Sequence, residues 1–197
     1  MNTPNKLTVA RIIATPVFMA TMLIEFPFHY TVSLILFAAA SLTDMIDGKL
    51  ARKNHLVTDF GKFLDPLADK MLTTAAYLGF ISMFADKKAL CIQVTAITFL
   101  VLFREFLVSS LRLVVVTSGG KVIAANIWGK AKTVSQMVSI VLALFVYGLS
   151  EFFKLSIPLI NALDAVIILL FWVTAVLCTV SGAIYLTGNK SVINSSK

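Results

Sequence analysis

Six long apolar stretches dominate the sequence and constrain its fold more than any other feature. They run over residues 7–25, 30–51, 66–85, 89–116, 131–149 and 158–186. A helix needs about 20 mostly apolar residues to cross the hydrocarbon core of a bilayer. Hydrophobic residues make up 58% of the chain, above the roughly 45–50% typical of soluble domains. The sequence therefore predicts an all-α, polytopic integral membrane protein with six transmembrane helices, formed by residues 1–197 as a single membrane-embedded domain.

The basic residues are distributed unevenly between the two sides of such a bundle. Six spans place both termini on one side, and all 17 lysines and arginines except Lys87, Lys88 and Lys154 fall at or toward that side. Lysine and arginine accumulate in the cytoplasmic segments of membrane proteins. The sequence therefore predicts a multi-pass protein whose terminal side faces the cytoplasm. We expect its partners to include membrane lipid but no nucleic acid, despite the net charge of +7.

Four aspartates interrupt the apolar sequence around the connection between the second and third stretches. Asp44 and Asp47 are three residues apart, and Asp65 and Asp69 are four apart. On helices, either spacing places two side chains on one face. Two neighbouring helices joined by a short loop would aim all four carboxylates at one point. Acidic side chains at membrane depth are energetically costly, so this cluster indicates a functional site.

A cluster of four carboxylates requires compensating cations. Oxygen ligands suit Mg²⁺, Mn²⁺ or Ca²⁺ better than Zn²⁺, and two Mg²⁺ ions would supply the charge and form a clamp for phosphoryl transfer. Gly48, Ala51 and Gly61 share the aspartate faces and leave room for a nucleotide. Two other interpretations stay open: a single aspartate as a helix cap or partner of Arg52, and an ion path through a transporter.

A second group of residues predicts a phosphate-binding pocket. Arg104 and Arg112 are eight residues apart, about two helical turns, and Lys130 and Lys132 follow at the start of the fifth stretch. Guanidinium and ammonium groups match phosphate oxygens. An ion pair of Arg104 with Glu105, or a basic flank for anionic lipid, is the alternative. A phosphate pocket beside the metals predicts a substrate that carries its own phosphate.

The aspartate motif resembles the complete hallmark of the CDP-alcohol phosphotransferases. All its positions agree in residue type and spacing: Asp44, Asp47, Gly48, Ala51, Arg52, Gly61, Asp65 and Asp69. The resemblance implies a six-span membrane enzyme, usually a homodimer, that transfers a phosphatidyl or phosphoalcohol group between CMP and an acceptor hydroxyl. It also implies that Asp44, Asp47 and Asp65 bind metal and that Asp69 is both ligand and catalytic base. Gly48, Ala51 and Arg52, with Gly61, would line the CDP site.

Further segments are similar to bacterial phosphatidylglycerophosphate synthases, and this likeness covers roughly residues 1–140. They are residues 2–8 with Arg11, residues 61–70, Arg104-Glu105, and residues 129–133 with Gln136. The likeness implies CDP-diacylglycerol as donor, glycerol 3-phosphate as acceptor, and a bacterial cell membrane as location.

The same likeness implies nucleotide contacts for Asn5 and Thr8, for which an interfacial helix cap is the alternative. No histidine, serine or cysteine is placed as a nucleophile, so we expect direct displacement. Inositol phosphate, serine or phosphatidylglycerol as acceptor stays open, and so does a divalent-cation transporter.

Overall fold

The described part of the chain consists of six helices. The computed structural model describes residues 3–53, 59–117, 127–153 and 155–188, with side chains for 5–43, 61, 64–115, 127–153 and 155–188. The helices are α1 (Thr3–Leu23), α2 (His29–Lys53), α3 (Asp59–Met83), α4 (Lys88–Thr117), α5 (Ile127–Phe152) and α6 (Ile157–Gly188). Each coincides with one of the six apolar stretches, which confirms the predicted all-α class.

Four of these helices are long and apolar enough to cross a membrane. They are α1, α4, α5 and α6, as judged from the residues that the structure describes. The described apolar part of α2 is shorter and covers His29–Thr43. The first half of α3 contains Asp65, Asp69 and Lys70, which lowers its mean hydropathy. The two remaining helices, α2 and α3, are the two that carry the aspartate motif.

The helices form a ring. Helix α1 packs on α2 and α3, α4 packs on α3 and α6, and α5 packs on α2 and α6. Aromatic rings fill the interior: the ring centroids of Phe18 and Phe37 are 5.6 Å apart, and those of Phe80 and Phe171 are 5.1 Å apart. Because lipid tails are as apolar as leucine, this close packing, and not exclusion from water, holds the helices together.

Helices α1 and α3 approach each other closely at Gly79. A Cβ atom added at Gly79 would lie 2.8–3.1 Å from atoms of the Met22 side chain. A hydrogen at position 79 therefore lets the two helices approach more closely than any side chain would allow. This contact fixes α1 against α3, the helix that contains two of the four aspartates.

Polar contacts tie the bundle together at the end opposite the aspartate motif. Asp164 of α6 is 2% exposed and accepts hydrogen bonds from Lys87 and the Tyr147 hydroxyl. Glu151, near the end of α5, accepts a hydrogen bond of 3.2 Å from the backbone N–H of Thr31 at the start of α2. A cation and a hydroxyl as partners offset part of the cost of burying this carboxylate. These contacts keep α5 and α6 in register with the rest of the bundle.

Candidate active site

The two helices that carry the aspartate motif have the geometry that its spacing requires. Helix α2 is continuous through Asp44 and Asp47, and α3 is continuous through Asp65 and Asp69. Each pair therefore shares one helical face. The side chains of residues 44–53 lie outside the described ones, and with them the predicted contacts of Gly48, Ala51 and Arg52. Among the side chains that the structure does describe, no three acidic, histidine or cysteine residues cluster.

Helix α1 contacts Asp65 through a buried polar face. Asn5, Thr8 and Arg11 recur at three-residue spacing and are 6%, 1% and 2% exposed. The Thr8 hydroxyl donates a hydrogen bond of 2.7 Å to Oδ1 of Asp65. Thr8 lies in the second turn of α1, so it does not cap the helix. Sequence reasoning linked Thr8 to the nucleotide by resemblance but missed its contact with Asp65, because the two residues are 57 positions apart.

This contact gives a prediction for Thr8→Val, which keeps the side-chain shape and removes the hydroxyl. A hydrogen bond to a charged group contributes about 1.5–3 kcal/mol. We therefore expect catalytic efficiency at limiting Mg²⁺ to fall about tenfold or more, with partial recovery at high Mg²⁺. The measurement is a Mg²⁺ titration of the CMP release that the resemblance of the aspartate motif implies. Thr21→Val is the matched control, since Thr21 lies on the same helix and bonds to Phe18 and Ser33. Equal Mg²⁺ curves for the parent and Thr8→Val would contradict this role.

A small cavity brings Asp69 together with the predicted phosphate-binding residues. It has a volume of about 150 Å³, and its lining includes Asp69 of α3, Arg104 and Arg112 of α4, and Lys132 of α5. Lys130 is exposed to solvent and does not line this cavity. Residues that lie up to 116 positions apart in the sequence, from Asp69 to Tyr185, thus surround one space.

One carboxylate organises the cations of this cavity. Glu105 accepts a hydrogen bond of 3.0 Å from Nη1 of Arg104 and another from Nζ of Lys132. The side chains of Arg104 and Glu105 are each 14% exposed, and that of Lys132 is 7% exposed. The ion pair considered for Arg104 is therefore present, and Glu105 partly offsets two of the cations. Arg112, which is exposed, is a third cation on the cavity wall.

Helix α6 contributes to the cavity in a way that the sequence did not indicate. Ser181 and Tyr185 lie on its wall, one turn apart. Between them Gly182 allows the Arg104 side chain to pass close to the helix, since a Cβ atom at position 182 would lie 3.0 Å from Cγ of Arg104. The sequence predicts residues 158–186 only as an apolar span. Its small and polar residues at one-turn spacing were the signal that could have revealed this wall.

The described residues fit a divalent cation that prefers oxygen ligands. Two of the four predicted ligands, Asp65 and Asp69, have side chains that the structure describes. Asp65 and Asp69 offer oxygen ligands of the kind that Mg²⁺ and Mn²⁺ prefer. The Thr8 hydroxyl fixes one of these carboxylates by donating to it, as outer partners of metal ligands commonly do. Asp44 and Asp47 would have to supply the remaining carboxylates from α2.

Six helices, of which α1, α4, α5 and α6 are long and apolar enough to cross a membrane, the aspartate motif on α2 and α3, and a basic cavity lined by Asp69 are typical of a class of membrane-embedded transferase. The chain belongs to the CDP-alcohol phosphatidyltransferase family, whose family model matches residues 1–180. This match confirms the resemblance seen in the aspartate motif and extends it into α6. Members of this family are enzymes and depend on divalent metal.

Three proteins with names are similar to this chain over most of its length. A protein of Bacillus subtilis (strain 168) named CDP-diacylglycerol–glycerol-3-phosphate 3-phosphatidyltransferase is 38% identical over 99% of this chain and 98% of its own length. A protein of the same name from Rickettsia bellii is 38% identical over 93% of each chain. A probable phosphatidylglycerophosphate synthase of Mycobacterium tuberculosis (strain H37Rv) is 40% identical over 76% of this chain and 68% of its own. The similarity to the first two therefore extends over nearly the full length.

Proposed function

We propose that this chain transfers the phosphatidyl group of CDP-diacylglycerol to glycerol 3-phosphate, forming phosphatidylglycerol phosphate and CMP. The observation that carries the proposal is the cavity in which Asp69 of the family motif faces Arg104, Arg112 and Lys132. An acceptor with its own phosphate suits a basic cavity that adjoins the metal motif. The names of the Bacillus and Rickettsia relatives support the same donor and acceptor.

The four aspartates would hold two Mg²⁺ ions, or Mn²⁺ ions, between α2 and α3. Bound there, the ions would neutralise the pyrophosphate of the donor and the charge that develops on departing CMP. Thr8, which donates a hydrogen bond to Oδ1 of Asp65, would hold that carboxylate in place as a ligand. Asn5, Thr8, Gly48, Ala51, Arg52 and Gly61 would contact the CDP moiety.

Asp69 would act as the catalytic base. The hydroxyl oxygen of the acceptor attacks the phosphorus of the phosphatidyl group, and the bond from that phosphorus to the CMP oxygen breaks. The hydroxyl proton passes to the Asp69 carboxylate, and CMP leaves. Asp69 lines the same cavity as the basic residues, so the acceptor's phosphate would be held while its hydroxyl lies near the base. This arrangement is the positional contribution to catalysis.

We further propose that α2 and α3 cross the membrane with the other four helices, and that the site faces the cytoplasm. The first part of α2 is apolar, and the aspartates lie toward the ends of α2 and α3 that meet at the connection between them. The basic residues concentrate at this end, as the positive-inside rule requires of a cytoplasmic side. The whole chain would form one domain and associate as a homodimer in a bacterial cell membrane.

The acceptor assignment predicts a specific effect of Arg112→Ala. Removing a guanidinium from the cavity wall costs the acceptor a charged contact worth about 1.5–3 kcal/mol. We expect KM for glycerol 3-phosphate to rise about tenfold or more, with KM for CDP-diacylglycerol unchanged. The measurement is initial-rate kinetics of CMP release with each substrate varied in turn.

Two further substitutions serve as controls for Arg112→Ala. Lys130→Ala should have a smaller effect, because Lys130 does not line the cavity. Lys88→Ala should have none, because Lys88 begins α4 at the opposite end of the bundle. An unchanged acceptor KM in Arg112→Ala would refute the assignment of this cavity to the acceptor phosphate.

A further inference from the structure

The N-terminal end of α2 is capped by a residue of another helix. Oε1 of Glu151, near the end of α5, accepts a hydrogen bond of 3.1 Å from the backbone N–H of Tyr30. Its Oε2 accepts one of 3.2 Å from the backbone N–H of Thr31 and one of 3.1 Å from the Thr31 hydroxyl. The first N–H groups of a helix have no partner within the helix, and the helix dipole favours an anion there. Glu151 thus caps α2 from 120 positions away.

The residue directly before α2 cannot provide such a cap. Helix caps are usually Ser, Thr, Asp or Asn at that position, and here it is Phe28. The carbonyl of Phe28 accepts the first helical hydrogen bond, 2.9 Å from the N–H of Val32. Its φ of 63° lies in the left-handed region, which is strained for a bulky residue. Its ring stacks on that of Phe152, with centroids 4.6 Å apart, so the start of α2 is tied to the end of α5 by this contact as well.

The two helices also approach closely at this junction. Gly148 lies one turn before Glu151 on α5, and a Cβ atom added there would lie 3.0 Å from Oγ1 of Thr31. A hydrogen at position 148 therefore leaves room for the hydroxyl that donates to Glu151. The Glu151 side chain is 14% exposed, so water competes little with the helix for its oxygens. We call Glu151, Gly148, Tyr30 and Thr31 the α2 anchor.

Helices α2 and α3 carry the two halves of the aspartate motif and yet pack little on each other. Among the residues that the structure describes, α2 packs on α1 and α5, and its contact with α3 is slight. The described polar ties of α2 to its neighbours concentrate in its first five residues, 29–33. Ser33, for example, lies 2.8 Å from Thr21 of α1 between hydroxyl oxygens. The position of α2 relative to α3 is therefore set through α1 and α5.

A helix transmits such a restraint along its axis. Fourteen residues separate Tyr30 from Asp44, about 21 Å at 1.5 Å each, and α2 is continuous between them and contains no proline. A shift or rotation of its start therefore reappears at its aspartates. Mg²⁺ demands nearly ideal octahedral geometry, and metal–ligand distances are fixed to within about 0.2 Å. A small displacement of α2 would thus weaken the binding of an ion shared by the two helices.

We propose that Glu151 is a positioning residue for the metal site. By anchoring the start of α2 on α5, it holds Asp44 and Asp47 at the axial position and rotation from which they can share ions with the aspartates of α3. The inference rests on the proposed function, which assigns these aspartates as ligands. It goes beyond that function by giving a role to a carboxylate at the opposite end of the bundle, which acts through the helix alone.

The test removes the anchor and compares the result with the loss of another buried carboxylate at the same end. Glu151→Ala removes both acceptor oxygens, and Glu151→Gln keeps one of them. Asp164→Asn is the matched control, because the described partners of Asp164 are Lys87 and Tyr147, neither of which belongs to α2. Each purified protein in detergent is characterised by thermal unfolding and by its dissociation constant for Mn²⁺ alone, without substrate.

A distance measurement tests the geometry without metal. Leu42 of α2 and Met71 of α3 are exposed and lie two residues from motif aspartates. Spin labels attached through Leu42→Cys and Met71→Cys report the separation of the two helices. Cys91 is replaced by serine, and Cys178 is 0% exposed, so it stays unlabelled. The parent should give one narrow distance distribution.

We expect Glu151→Ala to raise the dissociation constant for Mn²⁺ about tenfold, equal to about 1.4 kcal/mol, and Glu151→Gln to raise it about threefold. Both should give a shifted or broader distance distribution. Asp164→Asn should lower the melting temperature but keep the parent Mn²⁺ affinity and distances. If Glu151→Ala does not fold, Glu151→Gln decides by the same measurements.

Parent affinity and parent distances in the folded Glu151 variants would overturn the proposal. So would an equal loss of Mn²⁺ affinity in Asp164→Asn, which would make the effect a general result of lost stability. A parent that binds Mn²⁺ but releases no CMP with glycerol 3-phosphate would contradict the proposed function, and affinity and distance would still decide the role of Glu151. An active parent whose Glu151 variants keep its affinity and distances would retain the proposed function and refute the positioning role.

Discussion

Asp65→Asn is expected to reduce CMP release by about a thousandfold or more, equal to at least about 4 kcal/mol of transition-state stabilisation. The substitution removes one negative charge from the metal motif and changes little else. The asparagine side chain has nearly the same shape, and its oxygen can still accept the 2.7 Å hydrogen bond from Thr8. The fold should therefore persist while affinity for the divalent ions falls. Asp44→Asn and Asp47→Asn are expected to behave in the same way.

The measurement pairs CMP release with Mg²⁺ or Mn²⁺ binding and with thermal unfolding in detergent. Asp86→Asn is the control, because Asp86 is an exposed acid in the turn between α3 and α4, at the other end of the bundle. We expect parent activity in that variant. An Asp65→Asn protein that binds metal and releases CMP at the parent rate would contradict the assignment of the aspartates as ligands.

Glu105→Gln is expected to lower the free energy of unfolding more than any other substitution proposed for this protein. The Glu105 carboxylate is the partner of both Arg104 and Lys132. Removing one member of a buried charge network commonly costs about 3–5 kcal/mol, because the remaining charges lose their compensation. All three side chains are largely buried, so water can replace the missing carboxylate only in part. The melting temperature in detergent should fall markedly.

A compensating substitution distinguishes charge balance from lost packing. Glu105→Gln combined with Lys132→Met removes one cation together with the anion and should recover much of the lost stability. The two residues are in contact, so their effects should not add. Lys132 also lines the cavity, so the double variant is compared by thermal unfolding and not by activity. A Glu105→Gln protein as stable as the parent would show that Glu105 does not balance these cations in the folded state.

Much of this architecture was accessible from sequence because its signals are local. The apolar stretches predict all six helices, and the structure confirms them. The spacing of Asp44, Asp47, Asp65 and Asp69 predicts two carboxylates on one face of α2 and two on one face of α3. Helix formation and one-face spacing depend on residues three or four positions apart. The hallmark of the family has the same local character, since its two helical segments flank one short connection.

The parts that escaped prediction depend on pairing between distant residues. Asp164 lies within the most apolar stretch, and its pairing could not be predicted because its partners Lys87 and Tyr147 are 77 and 17 positions away. The contact of Thr8 with Asp65 also joins separate helices. Periodicity tells which face of a helix is polar but not which helix will pack on it. The ring order of the six helices decides that, and it follows from packing of the whole bundle.

The most direct test of phosphatidyl transfer by this chain is CMP release from the purified protein in detergent with CDP-diacylglycerol and Mg²⁺. Glycerol 3-phosphate, inositol phosphate, serine and phosphatidylglycerol are supplied separately, with EDTA as the metal-removal control. We predict release with glycerol 3-phosphate alone, and its loss with EDTA. Release with a different acceptor only would contradict the proposed substrate while keeping the family chemistry. If protein shown to be folded releases no CMP with any of the four acceptors, the chain does not transfer phosphatidyl groups, and this result would favour a cation transporter.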